Sequence, residues 1–510
     1  TRLRSKIIAL AACLFVSISM VDAGASTSPA KMTMTTDIPA GIATPDKVET
    51  SIGTLILVDG VPDAETAQKV YDNLDFQRAT EAYLNSIQIA SMNGMREGIL
   101  AYGPANTTAL LFEELMDSTT LWLSANTSSV YMTLWLDLTD GPVVMETPPN
   151  VIGVVDDAWF HYVTDFGQVG RDKNQGGKYL FLPPGYKGDI PEGYFVQETE
   201  TYGNWVVWRG AQVNGSTASA INGTTEKMRV YPLAEKDNPP KMQFMDVSGD
   251  QFNTIHAMDV RFYDEVNSVI QREPGDGQDP EILGQLASIG IRKGQLFTPD
   301  VRMKKILEDA ANVAAVTVRT LASRPRDDSF YIYPGEGVWT TPFIGGSYLF
   351  IDENNARNLD ARAYFHFYAT GITPAMSQAP YGKGSTYALT YTDSAGNALD
   401  GSKAYKVHVP PNVPAESFWS FTLYDNQTRS MLQTDQQFPG IDSNEKDLVK
   451  NADGSYDIYF GPTAPAAGEE GNWLQTAPGK GWNMLWRIYG PTKPWYDRSW
   501  KIGDPEPMKS

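Results

Sequence analysis

The segment SVYMTLWLDL sets Val130, Met132, Leu134, Leu136 and Leu138 on one side of an alternation and Tyr131, Thr133, Trp135 and Asp137 on the other. A period of two sends successive side chains to opposite faces of a strand, so the stretch predicts a β-strand with one wholly aliphatic face. The other face, with two aromatic rings and a carboxylate, is a candidate cleft wall. Thr139-Asp140-Gly141-Pro142 follows, an Asp-Gly turn signal before VVMETPP, and the pair reads as a hairpin. KYLFLPPG, GYFVQE, NWVVWRG and MRVYPL are further short runs bounded by Gly, Pro or Asn. Many short strands at close spacing predict a sandwich or barrel.

On either side of these strands the period becomes helical. In DAETAQKVYDNLDFQRATEAYLNSI, Val70, Leu74, Ala79, Tyr83 and Ile87 fall near helical spacing, with Asp63 as N-cap. Phe252, Ile255, Met258, Phe262, Val266 and Ile270 repeat that spacing, and Pro280 to Gly290 reads as a short helix closed by glycine. A third helix is expected after Thr298 as N-cap and Pro299 as first helical residue, with Met303, Ile306, Leu307, Ala310, Val313, Ala314 and Leu321 on its apolar face. Asn355 to Tyr368 reads as another. Because a chain of 510 residues exceeds the size of a single core, two β domains joined by helices are expected. The division is a signal peptide at 1–25, a tether at 26–50, an N-terminal β domain with leading helix at 51–247, a helical connecting module at 248–340 and a C-terminal β-sandwich domain at 341–510.

The tether is small, polar and proline-punctuated, and what precedes it reads as an export signal. TRLRSK is basic, and IIALAACLFVSISM is an apolar run of signal-peptide length, with cleavage expected near Ala23 or Ala25. Cys13, the single cysteine, also ends Leu10-Ala11-Ala12-Cys13, a lipoprotein cleavage box that would leave Cys13 lipidated. The expected location is periplasmic or secreted, alternatively lipid-anchored in the envelope, so membrane contact depends on Cys13. Ordinary cleavage leaves a mature chain without disulfides or thiolate chemistry. With 41 Lys and Arg against 61 Asp and Glu, the net charge of -20 repels phosphate backbones, which argues against a nucleic-acid partner.

Strand character returns at Thr386, where TYALTYTDSAGNALDGSKAYKVHVPPN echoes the earlier SVYMTLWLDLTDGPVVMETPPN. Near the end of the chain, Met484, Trp486 and Ile488 alternate with Leu485, Arg487 and Tyr489. The segments ALTYTDSAGNALDGSKAYKVHVPP, ESFWSFTLYDNQT, NADGSYDIYFGP and GNWLQTAPGKGWNMLWRIYGPTKPW follow one another as in the bacterial domain of unknown function 1214, which this region resembles. YDNLDFQRATEAYL, ANTSSVYMTLWLDLTDGPVVMETPPNVIGVVDDAWFHYVTDFGQVG and KYLFLPPGYKGDIPEGYFV resemble domain of unknown function 1254. The resemblance implies an exported, two-part protein, mainly β with a helical module and α+β overall, built on two antiparallel jelly-roll-like β-sandwich domains. It implies no reaction and no cofactor.

Chemistry must then be sought residue by residue. His161, His256, His366 and His408 show no metal-ligand spacing among themselves, and nucleotide loops and a G-x-S-x-G elbow are missing, so no metal or cofactor is signalled. Asp137 beside Trp135 and Tyr131, and Asp156-Asp157 before Trp159 and His161, are the candidate paired carboxylates. Tyr131, Trp135 and Asp137, and separately Asn472 and Trp473, are candidate ligand contacts, since exposed rings stack on planar ligands while neighbouring amides and carboxylates orient them. Two readings stand. One is a non-catalytic envelope protein that binds a glycan or small organic ligand or assembles into a homo-oligomer. The other is a metal-independent hydrolase of an extracytoplasmic polymer that uses paired carboxylates.

Overall fold

The computed structural model describes residues 32–509, so the expected signal peptide and Cys13 lie outside the described residues. The chain divides after Val70 into two units. The first holds a three-stranded antiparallel sheet, β1 (Lys47–Thr50), β2 (Gly53–Val58) and β3 (Val61–Pro62), and the start of α1 (Ala64–Leu84). Asp63 is the expected N-cap: its carboxylate accepts from Thr66 N at 2.7 Å.

The second unit continues with α2 (Ile87–Leu100) and then a sandwich of short strands. These are β4 (Thr108–Leu111), β5 (Ser129–Asp137), β6 (Val143–Glu146), β7 (Val151–Asp157), β8 (Tyr162–Gly167), β9 (Lys178–Leu182), β10 (Phe195–Glu198), β11 (Gly203–Ala211), β12 (Arg229–Pro232) after α3 (Ala218–Lys227), and β13 (Gln243–Asp246). One sheet runs β13-β4-β5-β11-β7-β8 and the other β10-β9-β6-β12. The aliphatic face of β5 is buried between them: Val130, Met132, Leu134 and Leu136 pack with Val206 and Trp208 against Met145, Tyr179 and Phe181.

The Asp-Gly turn does not make the expected hairpin. β5 pairs with β4 and β11, whereas β6 pairs with β9 and β12 in the opposite sheet. Pro142 follows the turn without an N–H to donate, and the chain crosses the core there instead of doubling back.

The helices α4 (Arg261–Arg272), α5 (Pro280–Ser288), α6 (Val301–Ser323), α7 (Leu359–Tyr368) and the short α8 (Pro374–Ser377) come next. Residues 252–260, expected to begin α4, are not helical, because the backbone there is committed elsewhere: Leu121 N donates to Phe252 O at 2.8 Å and Thr254 N to Leu121 O at 3.0 Å. The cap of α6 is Asp300, which accepts from Met303 N at 2.7 Å, two residues beyond the expected Thr298.

A second sandwich follows, from β14 (Ser385–Thr390), β15 (Tyr405–Val409), β16 (Ala415–Asp425), β17 (Gly440–Asp442), β18 (Tyr456–Gly461), β19 (Trp473–Gln475), β20 (Trp482–Pro491) and, after α9 (Lys493–Tyr496), β21 (Glu506–Pro507). Its sheets are β14-β20-β16-β17 and β19-β18-β15-β21. Met484, Trp486 and Ile488 point into its core with Phe421, Ile458 and Phe460. Trp482 is fully buried there beside Phe460. Most ladders are antiparallel; β13 with β4, β10 with β9 and β18 with β19 are parallel.

The outer face of the six-stranded sheet and the outer face of the β14-β20-β16-β17 sheet share a third core with the helices. It joins Tyr131, Trp135, Trp205 and Val207 to Leu389, Tyr424 and Leu485 and to the buried stripes of α2, α4, α6 and α7. The fold is thus mixed α+β, with two sandwiches meeting across a helical layer.

Candidate functional site

Strand register places side chains on the outer face of the six-stranded sheet in rows. Tyr131, Arg209 and Ile152 form one row, Thr133, Val207, Val154 and Asp165 the next, and Trp135, Trp205 and Asp156 the third. Tyr131, Arg209, Ile152, Val207, Val154, Asp165 and Trp205 wall a cavity of about 870 Å³, its mouth included. Leu485 and Arg487 of β20, Tyr387 of β14, Phe365 and Tyr368 of α7 and the segment 369–373 close it from the other side. An outer cleft at Thr341, Gln378 and Tyr496 shares Pro342, Phe343, Met376 and Tyr387 with it.

The cavity is rich in rings and holds two arginines. Arg487 is buried and both its terminal nitrogens are engaged: Nη1 donates to Thr422 Oγ1 at 2.9 Å, and Nη2 to Ser124 O at 2.6 Å and to Tyr424 Oη at 2.9 Å. Every one of these acceptors is neutral. Arg209 meets the Tyr131 ring, 5.8 Å from its guanidinium carbon; no hydrogen bond or carboxylate meets its five N–H donors among the described residues. Two permanent cations therefore face one cavity, and no carboxylate pairs with either of them among the described residues.

Asp165 is the one carboxylate on the cavity wall among the described residues. Burial lifts its pKa above the usual range, against the hydrogen bonds from Thr373 Oγ1 at 2.9 Å and Tyr162 Oη at 3.1 Å. Asp156 lies beside it and is shifted further upward by burial, although Ile372 N donates to it at 2.8 Å. Each keeps one buried oxygen without a hydrogen bond. Burial makes the charged form of both carboxyls costlier than it is in water.

The sequence candidates are scattered. Tyr131 lines the cavity, its hydroxyl fixed by Asn126 Nδ2 at 3.1 Å. Trp135 shares the face but lies buried two rows along, in the helical core. Asp137 closes a turn, accepting from Thr139 N at 2.9 Å and Thr139 Oγ1 at 2.5 Å. Asn472 and Trp473 belong to the C-terminal sandwich, on the sheet that does not border the cavity. The amide of Asn472 is consumed by Val449 N, Val449 O and Asp457 O, and Trp473 Nε1 donates to Gly461 O at 3.0 Å. Sequence reading missed Arg209 as a site residue and saw Arg487 only as the polar side of a strand. The available signal was the repeated Trp-Arg dipeptide in NWVVWRG and NMLWRIYG, a fixed charge inside two otherwise apolar strands.

The family described as Protein of unknown function (DUF1254) matches residues 106–232, and Protein of unknown function (DUF1214) matches residues 384–493. No curated protein matches the chain. Among solved structures, the VPA0106 protein from Vibrio parahaemolyticus is similar at 19% identity and a TM-score of 0.51, over 86% of this chain and 100% of that one. A protein from Burkholderia cenocepacia aligns at 13% identity and a TM-score of 0.36, over 86% of this chain and 95% of its own. One wall of the cavity falls within each family match, with Arg209 in the first and Arg487 in the second. The chain thus carries a match to the DUF1254 family followed by a match to the DUF1214 family.

Proposed function

We propose that this chain is an exported binding protein for a small organic acid with an aromatic or otherwise apolar body, held in the cavity between the two sandwiches. The observation that carries the reading is Arg209, a guanidinium on a ring-lined cavity with no acceptor of its own among the described residues. Arg209 is half-buried, and an incoming carboxylate would meet its free N–H donors through two parallel charge-assisted bonds. Arg487 adds to the positive potential, and Trp122, Trp205, Phe343 and Tyr387 supply apolar surface for the ligand body. A neutral glycan is a poorer match, since it answers neither cation. The hydrolase reading needs two carboxyls or a Ser–His pair converging on one space, and the lining offers Asp165 without either.

The test is thermal unfolding of the mature chain with benzoate and longer arylcarboxylates, each beside its uncharged amide. Acids are expected to raise the melting temperature of the wild type and not of Arg209→Met, while the amides leave both unchanged. Equal stabilisation by acid and amide, or a response that survives in Arg209→Met, overturns the proposal.

A further inference from the structure

At the end of β7, the chain turns through Asp157–His161 and brings a second chemical group together. Asp157 Oδ1 accepts from Trp159 N at 2.9 Å and His161 N at 2.8 Å, which locks the carboxylate and leaves Oδ2 without a hydrogen bond among the described residues. This side chain is only 2% exposed. Oδ2 faces His161 Nδ1 at 3.9 Å, and that nitrogen lies 3.7 Å from Glu200 Oε2 on the segment between β10 and β11. Both separations exceed hydrogen-bond length, so neither carboxylate satisfies the imidazole directly.

We propose that Asp157, His161 and Glu200 form a binding site for one divalent transition-metal ion of the Zn²⁺ type. One ligand atom from each residue lies within 4.8 Å of the other two. Ligands held at about 2.0–2.2 Å from such an ion stand about 3 to 4.4 Å from one another, which small rotations of the two exposed side chains can reach. The buried, locked Asp157 is the fixed point, and His161 and Glu200 close on it. An imidazole nitrogen with two carboxylate oxygens suits zinc-like ions better than Ca²⁺, which takes oxygen ligands in larger number. Three protein ligands leave a position for water. The ion would also give the second oxygen of this buried carboxylate a partner.

The test is isothermal titration of EDTA-treated full-length chain with ZnCl₂ at pH 7.5, with CaCl₂ as the comparison. The expected result is one Zn²⁺ per chain and at least a tenfold loss of affinity in both His161→Ala and Glu200→Gln. Their side chains are 44% and 61% exposed, so both variants should melt like wild type in EDTA. Absence of Zn²⁺ binding, equal binding of Ca²⁺, or unchanged affinity in either variant overturns the proposal.

Discussion

Arg209 and Arg487 hold corresponding places on two different sandwiches. Each follows a tryptophan that points into its own sandwich core, Trp208 in one and Trp486 in the other, and each arginine crosses to the same cavity. Their partners differ, and so do the expected consequences of removing them. Arg209→Met deletes an unmatched charge and retains an unbranched apolar chain of similar reach. Arg209 is half-buried and makes no hydrogen bond among the described residues, so urea unfolding should give a stability within about 1 kcal/mol of wild type. A loss beyond about 1 kcal/mol would mean that Arg209 serves the fold rather than a ligand.

Arg487→Met should behave in the opposite way. The guanidinium serves Thr422, Tyr424 and the Ser124 and Ala125 carbonyls, and it links β20 to the loop that precedes β5. Leaving these acceptors buried and unmet should cost about 2–4 kcal/mol. Arg487→Lys should recover little, because one ammonium cannot reproduce a planar fork across two strands and a loop. The readout is the urea midpoint at constant m-value.

Part of this architecture is written locally and part is not. The alternation in β5 carried its own answer, since each aliphatic residue from Val130 to Leu136 reached the core. The partner of β6 was invisible, because Asp-Gly turns connect strands within a sheet or across two sheets with the same residues. Helix α2 went unread for a physical reason: ten of its residues are buried, so no polar stripe marks one face. The apolar residues from Phe252 to Met258 have helical spacing yet serve an extended segment, since Leu121 claims the backbone. Tyr131 could be picked out because it sits opposite an aliphatic face. Arg209 could not, because on a single strand it looks like any solvent-facing arginine, and only the second sandwich turns its surroundings into a cavity wall.

The extended segment constrains α2 in turn. A Cβ at Gly94 would lie 2.6 Å from Thr254 O, and one at Gly98 2.5 Å from Asn253 O, both backbone atoms that cannot swing aside. Gly98→Ala should therefore destabilise by about 1–3 kcal/mol despite alanine's better helix propensity. Gly284 in α5 is exposed, and a Cβ there would meet nothing within 4 Å, so Gly284→Ala should stabilise by about 0.5–1 kcal/mol. Opposite signs for one substitution in two helices would separate packing from propensity; a shared sign would contradict the close approach.

Glu265 on α4 sets a pH dependence. Burial lifts its pKa from 4.5 to about 7, against two hydrogen bonds from Ala257 N and with Asp259 adding to the rise. Between about pH 4.5 and 7 the folded chain keeps a proton that the unfolded chain has released, so this group's contribution to stability falls as pH rises and is fully unfavourable above pH 7. His256 acts in the reverse sense, since burial lowers its pKa to about 3 and the unfolded state binds the extra proton up to about 6.5. Comparing Glu265→Gln with wild type cancels His256 and every other group the two share. The difference in unfolding free energy should move in favour of the variant by on the order of 2 kcal/mol between pH 5 and pH 8, a figure reduced for the partial exposure of the side chain. Urea titrations at the two pH values give the answer directly, and parallel profiles would mean that Glu265 is already ionised in the folded protein at pH 5.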